Sequence, residues 1–323
     1  MAQSEAVSPM LPAQLKVTVV VCTRNRASDL PLAVHSVLAS GHVQFELLVI
    51  DQSTDGASNK FLASITDPRL RVIKTETVGL SVARNIGLEA ASTDLILMTD
   101  DDCVVSTTWI DDMCGLLLAD HKVAALFGVV DGADCDESKG FVPEGLISSD
   151  RTFTSAGQYD CRSGIGASLA FRRAAAEQVG GFDTQLGAGA PLKSAEELDF
   201  ALRLLLAGHH VAHTTLPGVV HHGFRTFDEG RDLVRGYMLG TAAAHAKLMR
   251  LGHLSVVCSF ARAMQGSFVP PVLSALRTRR APPILGRFTS TARGLWIGFR
   301  TPTDPSNNRF LPAASEIGES SRS

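Results

Sequence analysis

Four short apolar runs punctuate the N-terminal third of the chain, at 17–22, 45–50, 70–73 and 95–99. Each is rich in branched side chains and too short for an ordinary helix, which predicts a strand, a buried one at 17–22 and 95–98. The segments between them carry helical patterns. Ser28 and Asp29 offer an N-cap ahead of Leu32, Val34, Val37 and Leu38. A short helix is expected after Asp55 and Gly56, and Gly79 and Ser81 open another that runs to about Ala91. Strands alternating with helices predict parallel βαβ units, hence an α/β fold.

The fourth run ends in Asp100, Asp101 and Asp102. Stacked carboxylates there deliver negative charge to the carboxyl edge of the sheet, where ligands sit in open α/β folds. Like charges this close repel and require a cation. Carboxylate oxygens suit a hard divalent ion such as Mg²⁺ or Mn²⁺, and such ions commonly hold substrate phosphates too. A cap for a helix at 109–118 would need one carboxylate, not three. Asp51 ends the second run in the same way. It can accept a hydrogen bond from a base or ribose, although the stretch from Asp51 to Gly56 is equally good Asx-turn chemistry.

The second half is less regular. A strand is expected at 123–130, a long loop over the site at 131–160, a return to the core at 164–171 and a last short strand at 219–222. Leu198, Ala201, Leu202 and Leu205 predict a helix over 195–207, stopped by Gly208. Within it, Asp199 and Arg203 are spaced for a surface ion pair. The expected organisation is a disordered lead at 1–14, a catalytic domain at 15–226, a helical basic extension at 227–300 and a disordered, Ser-, Pro- and Asn-rich tail at 301–323.

A formal charge of −3 gives no sign of nucleic-acid binding, but the charge is uneven. Residues 225–309 hold 13 Arg plus Lys against 4 Asp plus Glu, or +9, which leaves −12 elsewhere. A basic rear fits contact with an anionic surface. Arg293 and Arg300 share a helix face, with Leu295, Trp296 and Phe299 between them and Arg287 before them. That is the pattern of an interfacial membrane helix. Packing back on the main domain, or on a second subunit, suits the same residues equally. None of the six cysteines, Cys22, Cys103, Cys114, Cys135, Cys161 and Cys258, forms a C-x-x-C pair. Their scatter fits reduced thiols in the cytoplasm. Residues 1–14 lack a signal-peptide pattern, and the apolar stretches of the tail are too short to span a bilayer. The expected location is cytoplasmic, with peripheral contact at the inner face of the cell membrane.

Other candidates flank the strands. Thr23, Arg24, Asn25 and Arg26 follow the first, and Arg suits bidentate phosphate contacts. Glu196 and Glu197 start a helix, where neighbours point about 100° apart, so one of them can face a cleft as a general base. His221 and His222 end the last strand and point to opposite faces, so one of them can join a metal. Gly164-Ile165-Gly166 fits close backbone approach to a ligand. Neither G-x-x-x-x-G-K-S/T nor G-x-G-x-x-G follows the first strand, against a P-loop or a dinucleotide fold.

With these residues in place the chain resembles glycosyltransferase family 2, inverting enzymes with a GT-A fold. The likeness runs in order from about Val17 to His222. Cys22-Thr23-Arg24-Asn25-Arg26 stands where the family commonly has Thr-x-Asn-Arg. Ile50-Asp51-Gln52-Ser53-Thr54-Asp55-Gly56 is similar to its Asp-rich turn, one residue short. Gly79-Leu80-Ser81-Val82-Ala83-Arg84-Asn85 is similar to its helix start, and Asp100-Asp101-Asp102 to its D-x-D metal motif. Gly166-Ala167-Ser168-Leu169-Ala170-Phe171-Arg172-Arg173 and Gly180-Gly181-Phe182-Asp183 are further hallmarks.

The resemblance implies a GT-A-like, Rossmann-type sheet, mixed but mainly parallel, flanked by helices. It implies Mg²⁺- or Mn²⁺-dependent transfer of a sugar from a UDP, GDP or dTDP donor to a glycan or lipid-linked acceptor, in cell-surface glycan or glycolipid synthesis. It assigns Thr23, Asp51 and Arg84 to the nucleotide, with Arg24, Asn25 and Asp101 beside it. Asp100 would approach the ribose and the metal, Asp102 would hold the metal with His221 or His222, and Gly166 and Ala167 would meet acceptor or sugar. The family shows Glu-Asp where this chain has Glu196-Glu197, which puts Glu197 at the base position. Ala195 precedes the pair where Gly is common. Two alternatives stay open. The missing Gly-rich loop counts against a nucleotidyltransferase, and the retained acids count against a non-catalytic sugar-nucleotide-binding protein.

Overall fold

A computed structural model describes residues 15–42, 44–160, 164–278 and 284–311. Cys161 and the expected loose ends at 1–14 and 312–323 lie outside the described residues. The chain opens with β1 (Val17–Thr23), α1 (Leu30–Leu38), β2 (Phe45–Asp51), α2 (Ala57–Ala63), β3 (Leu70–Lys74), α3 (Leu80–Ala90) and β4 (Leu95–Asp100). β1 pairs in parallel with β2 and β4, and β2 with β3, as the alternation of elements predicts. There follow β5 (Cys103–Val105), α4 (Trp109–Ala119), β6 (Val123–Gly132), β7 (Gly140–Phe141), β8 (Arg151–Phe153), β9 (Leu169–Arg172), α5 (Arg173–Gln178), α6 (Glu196–Leu206) and β10 (His210–His221). The last elements are β11 (Arg225–Thr226), α7 (Phe227–Arg250), α8 (Val256–Thr278), α9 (Leu285–Arg300), β12 (Thr303–Asp304) and β13 (Arg309–Phe310).

The main sheet runs β3-β2-β1-β4-β9-β6-β10-β5, with β8 on β10. β9 lies antiparallel between β4 and β6, which makes the sheet mixed. Both faces are covered. Val17, Val19 and Val21 of β1 pack with α1 and α4, and Val20 with α3, α6 and α7. That is why β1 and β4 read as nearly unbroken apolar runs, whereas the edge strand β3 is partly exposed and carries Arg71. Register levels the strand ends: Thr23 lies opposite Asp51, and Cys22 opposite Asp100. Three polar strand ends therefore share one edge.

Several expectations need correction. The last strand begins at His210, because His213 and Thr214 are buried in it despite their polarity. The 131–160 segment holds β7, β8 and a turn of 3-10 helix. Residues 301–311 are not a loose tail. β12 and β13 form a hairpin whose Phe310 is buried, and the Phe310 N–H donates to Asp183 at 2.7 Å. α7 shares the core of the sheet domain through Leu239, Ala243, Ala244 and Leu248. α9 lies so close to α7 that a Cβ on Gly294 or Gly298 would collide with the carbonyl oxygen of Leu239 or Ala243.

Asp199 and Arg203 are buried rather than on the surface. Arg203 Nε donates to Asp199 at 2.7 Å, and buried Lys247 of α7 reaches Asp183 at 2.7 Å and Asp199 at 2.6 Å. These ions tie α6, α7 and the terminal hairpin together. Lys247→Met is expected to cost about 3–5 kcal/mol of stability, because it strands buried carboxylates. Urea unfolding measures this; a loss below about 1 kcal/mol would refute it.

Candidate active site

A cleft of about 1570 Å³ opens over the carboxyl edge of the sheet. β4 delivers Asp100 to it, and the turn into β5 adds buried Asp101 and Asp102. Asp101 accepts from Thr23 Oγ1 at 2.7 Å, with Arg26 at 3.2 Å. Burial outweighs both and pushes its carboxyl up to about 7. Asp102 faces Arg26 at 2.6 Å and His221 Nε2 at 3.3 Å. Burial opposes its ionisation, but the hydrogen bond and charge of His221, then Arg26, hold it well below the usual carboxylate range.

His221 ends β10, aligned with Cys103 of β5. Its Nδ1 lies 2.8 Å from the carbonyl oxygen of Pro143 and must donate there. While the ring is protonated Nε2 donates to Asp102; once that proton leaves, Nε2 offers its lone pair beside the carboxylate, with the ring still oriented by Pro143, as metal-ligating imidazoles are. Ligand atoms of Asp102, Cys103 and His221 lie within 4.8 Å of one another. Burial raises the Cys103 thiol far above its ordinary value, and the thiol donates to Asp102 Oδ1 at 3.8 Å. Gly223 keeps the space open: a Cβ there would sit 2.5 Å from both Asp102 Oδ2 and His221 Nε2. These residues fit a divalent cation. His222 is exposed and outside this cluster, so of the pair only His221 faces Asp102.

Arg84 of α3 is buried beneath the cleft. It donates to Glu196 at 3.0 Å and Asp100 at 3.3 Å, and stands 5.5 Å from the Phe182 ring centroid. Gly166 lies against this guanidinium with no room for a Cβ, and Ala167 is buried beside it at the cleft wall. Glu196 is thus committed to Arg84. Glu197 is not: its Oε2 is buried without a hydrogen-bond partner among the described residues. Burial, then the charge of Glu196, raises its carboxyl well above the ordinary value. Tyr237 lines the same cleft.

The remaining candidates divide. Arg24 lines the cleft and is exposed. Asn25 is not among the lining residues; its Oδ1 accepts from Thr54 N–H at 2.8 Å and its N–H donates to Ser53 Oγ at 2.8 Å, clamping the β1 loop to the β2 loop. Asp51 is buried behind the lining. One oxygen accepts from Ser53 N–H at 2.9 Å as in an Asx-turn, and the other has no partner among the described residues. Gln52 lines the cleft and donates to Thr77 at 2.9 Å. Arg26, singled out with its neighbours in the sequence, reaches both Asp101 and Asp102. The sequence carried no signal for Gly223.

Ala195 sits at the N-cap of α6 with φ 72°, a left-handed conformation that costs a non-glycine residue about 1–2 kcal/mol. Glycine adopts this conformation without that cost. Ala195→Gly is expected to leave the site intact and raise stability by up to about 1 kcal/mol, offset in part by chain entropy. A fall in melting temperature would refute this.

The profile of the family described as Glycosyl transferase family 2 matches residues 18–180, half of the chain. The chain belongs to glycosyltransferase family 2. The Glucosyl-dolichyl phosphate glucuronosyltransferase of Haloferax volcanii is 28% identical over 184 residues, 54% of this chain and 58% of that protein. The chain therefore spans little more than half the length of that relative. The mannosyltransferase PcManGT from Pyrobaculum calidifontis, solved in complex with GDP-Man and Mn²⁺, superposes with a TM-score of 0.54 at 19% identity, over 87% of this chain and 84% of that one. S. aureus TarS 1-349 in complex with UDP gives 0.53 at 18% identity, over 70% and 65%. These likenesses establish the GT-A architecture for this family 2 chain.

Proposed function

We propose that this family 2 chain transfers a sugar from a nucleoside diphosphate donor to an acceptor hydroxyl, with inversion at the anomeric carbon. One observation carries the reading. A single cleft holds an oriented Asp102–His221 pair and, in Glu197, a carboxyl group whose Oε2 has no hydrogen-bond partner among the described residues. Thr23 and Asp100 line the place for base and ribose, with the free oxygen of Asp51 behind them. Arg24 and Arg26 stand at the mouth as phosphate partners. Asp102 and His221 would hold Mg²⁺ or Mn²⁺, which would neutralise the departing diphosphate.

Glu197 takes the proton from the acceptor hydroxyl as that oxygen attacks the anomeric carbon. The bond to the diphosphate breaks on the opposite side, and no covalent intermediate is needed. Arg84 positions the site by fixing Glu196 and Asp100. PcManGT was solved with GDP-Man and Mn²⁺ and TarS with UDP, which supports a nucleotide-sugar donor here. The name of the Haloferax relative, a glucuronosyltransferase of glucosyl-dolichyl phosphate, supports a lipid-linked glycan acceptor and a place in cell-surface glycan or glycolipid synthesis.

The test is a panel of UDP-, GDP- and dTDP-sugars scored by thermal stabilisation and by release of nucleoside diphosphate, with Mn²⁺ or Mg²⁺ and with EDTA. A bound donor stabilises the native state in proportion to ln(1 + [L]/Kd). One donor should stabilise the protein and be turned over only with metal. No stabilisation by any donor, or full turnover in excess EDTA, would overturn the reading.

A further inference from the structure

The 50 residues 251–300 contain seven arginines and no Lys, Asp or Glu. The whole chain carries −3, so the remainder carries −10. α9 turns its smallest residues, Gly294 and Gly298, onto α7 and its largest outward. Leu285 is 75% exposed, Phe288 64%, Trp296 58% and Phe299 47%. With Ala292 they recur at spacings of 3, 4, 4 and 3, which at 100° per residue confines them to an arc of about 80°. Arg293 and Arg300 border that arc, also exposed, and the Arg300 guanidinium lies 5.0 Å from the Trp296 ring centroid. Val269 and Leu273 of α8 are exposed as well, and Arg287 of α9 donates to the Ser267 carbonyl, joining the two helices.

We propose that this outer face of α9 seats the protein on an anionic lipid bilayer. An apolar arc with aromatic residues and a cationic border is the form that lies at headgroup depth. The occupant follows from charge. A second copy would set one acid-free arginine face against another, which like charges oppose, whereas anionic headgroups complement it. Among the described residues no helix is long and apolar enough to cross a membrane, so contact would be at the surface. The position suits delivery of a membrane-borne acceptor. A second groove of about 460 Å³ runs between the starts of α7 and α9, lined by Phe227, Leu285 and Arg287, and shares Phe141 and Val234 with the main cleft.

Co-sedimentation of the full chain with vesicles of phosphatidylglycerol and phosphatidylcholine, against phosphatidylcholine alone, at low and high salt, tests the proposal. Each cation beside an anionic leaflet strengthens binding about fivefold. The double variant Arg293→Glu/Arg300→Glu should therefore bind anionic vesicles at least about 30-fold more weakly. Phe288→Ser/Trp296→Ser should also release the protein. All four sites are exposed, so melting temperature and stabilisation by nucleotide sugar should match wild type; this separates the proposal from the assignment of the cleft. Salt-sensitive binding to anionic vesicles, lost in both variants, supports it. No binding to anionic vesicles, equal binding to neutral ones, unchanged binding by the variants, or a stable dimer that buries Trp296 overturns it.

Discussion

Glu197→Gln is expected to lower kcat by about 10²–10⁴-fold, the usual share of a general base, and to leave donor affinity nearly unchanged. Glutamine keeps the shape and loses the proton acceptor. The same substitution should not destabilise the protein. Burial and the Glu196 charge raise the folded-state pKa of Glu197, so the native state binds that proton more tightly than the unfolded chain does. The associated stability is present at low pH and is lost as pH rises through the folded pKa. A neutral isostere avoids that loss, so the variant's melting temperature should equal or exceed wild type, by a margin that grows with pH. Wild-type kcat should fall as pH drops through the raised value, above the ordinary range of about 4.3 for glutamate. A Glu197→Gln enzyme with near-normal kcat, or a dead Glu196→Gln enzyme that retains the Arg84–Asp100 contact and donor binding, would move the base elsewhere.

Removing the cation site should have an effect of similar size by another route. Asp102→Asn is nearly isosteric but uncharged, and should cut metal-dependent transfer by at least about 10²-fold and weaken donor binding with it. Because Asp102 also pairs with Arg26, loss of activity alone does not isolate the metal. Gly223→Ala does. Its Cβ would press on Asp102 Oδ2 and His221 Nε2, both side-chain ends that can rotate aside, so the fold should survive while their alignment is lost. Calorimetric titration with Mn²⁺ should detect binding to wild type and none to Gly223→Ala, at similar melting temperatures. Equal Mn²⁺ affinity in the two proteins would rule out this pair as the site.

β1 and β4 were legible because two covered faces leave a nearly unbroken apolar run, and polar strand ends stand out against it. β10 was legible only at its end. His213 packs against the rings of Phe127, Phe153 and Tyr159, at 4.8–5.6 Å between centroids, and no sequence pattern marks a histidine as part of such a cluster. Strand parity put His221 and His222 on opposite faces but could not choose between them; pairing of His221 with Cys103 made the choice. The spacing of Asp199 and Arg203 is the same on a surface as in a core. What buried the pair was Lys247, brought over it by the course of α7. Residues 301–311 were misread because Ser, Pro and Asn set the composition of the tail, and one phenylalanine, Phe310, anchors the hairpin.

α9 grips α7 by backbone against backbone at Gly294 and Gly298, and this divides the helix into two independent tasks. Its attachment depends on the absence of side chains on one side and hardly at all on their identity on the other. Outer positions such as Phe288, Trp296 and Arg300 can therefore be exchanged without disturbing the catalytic core. A chain built this way can be readdressed to a different surface by a few solvent-side substitutions, while its reaction stays as it is.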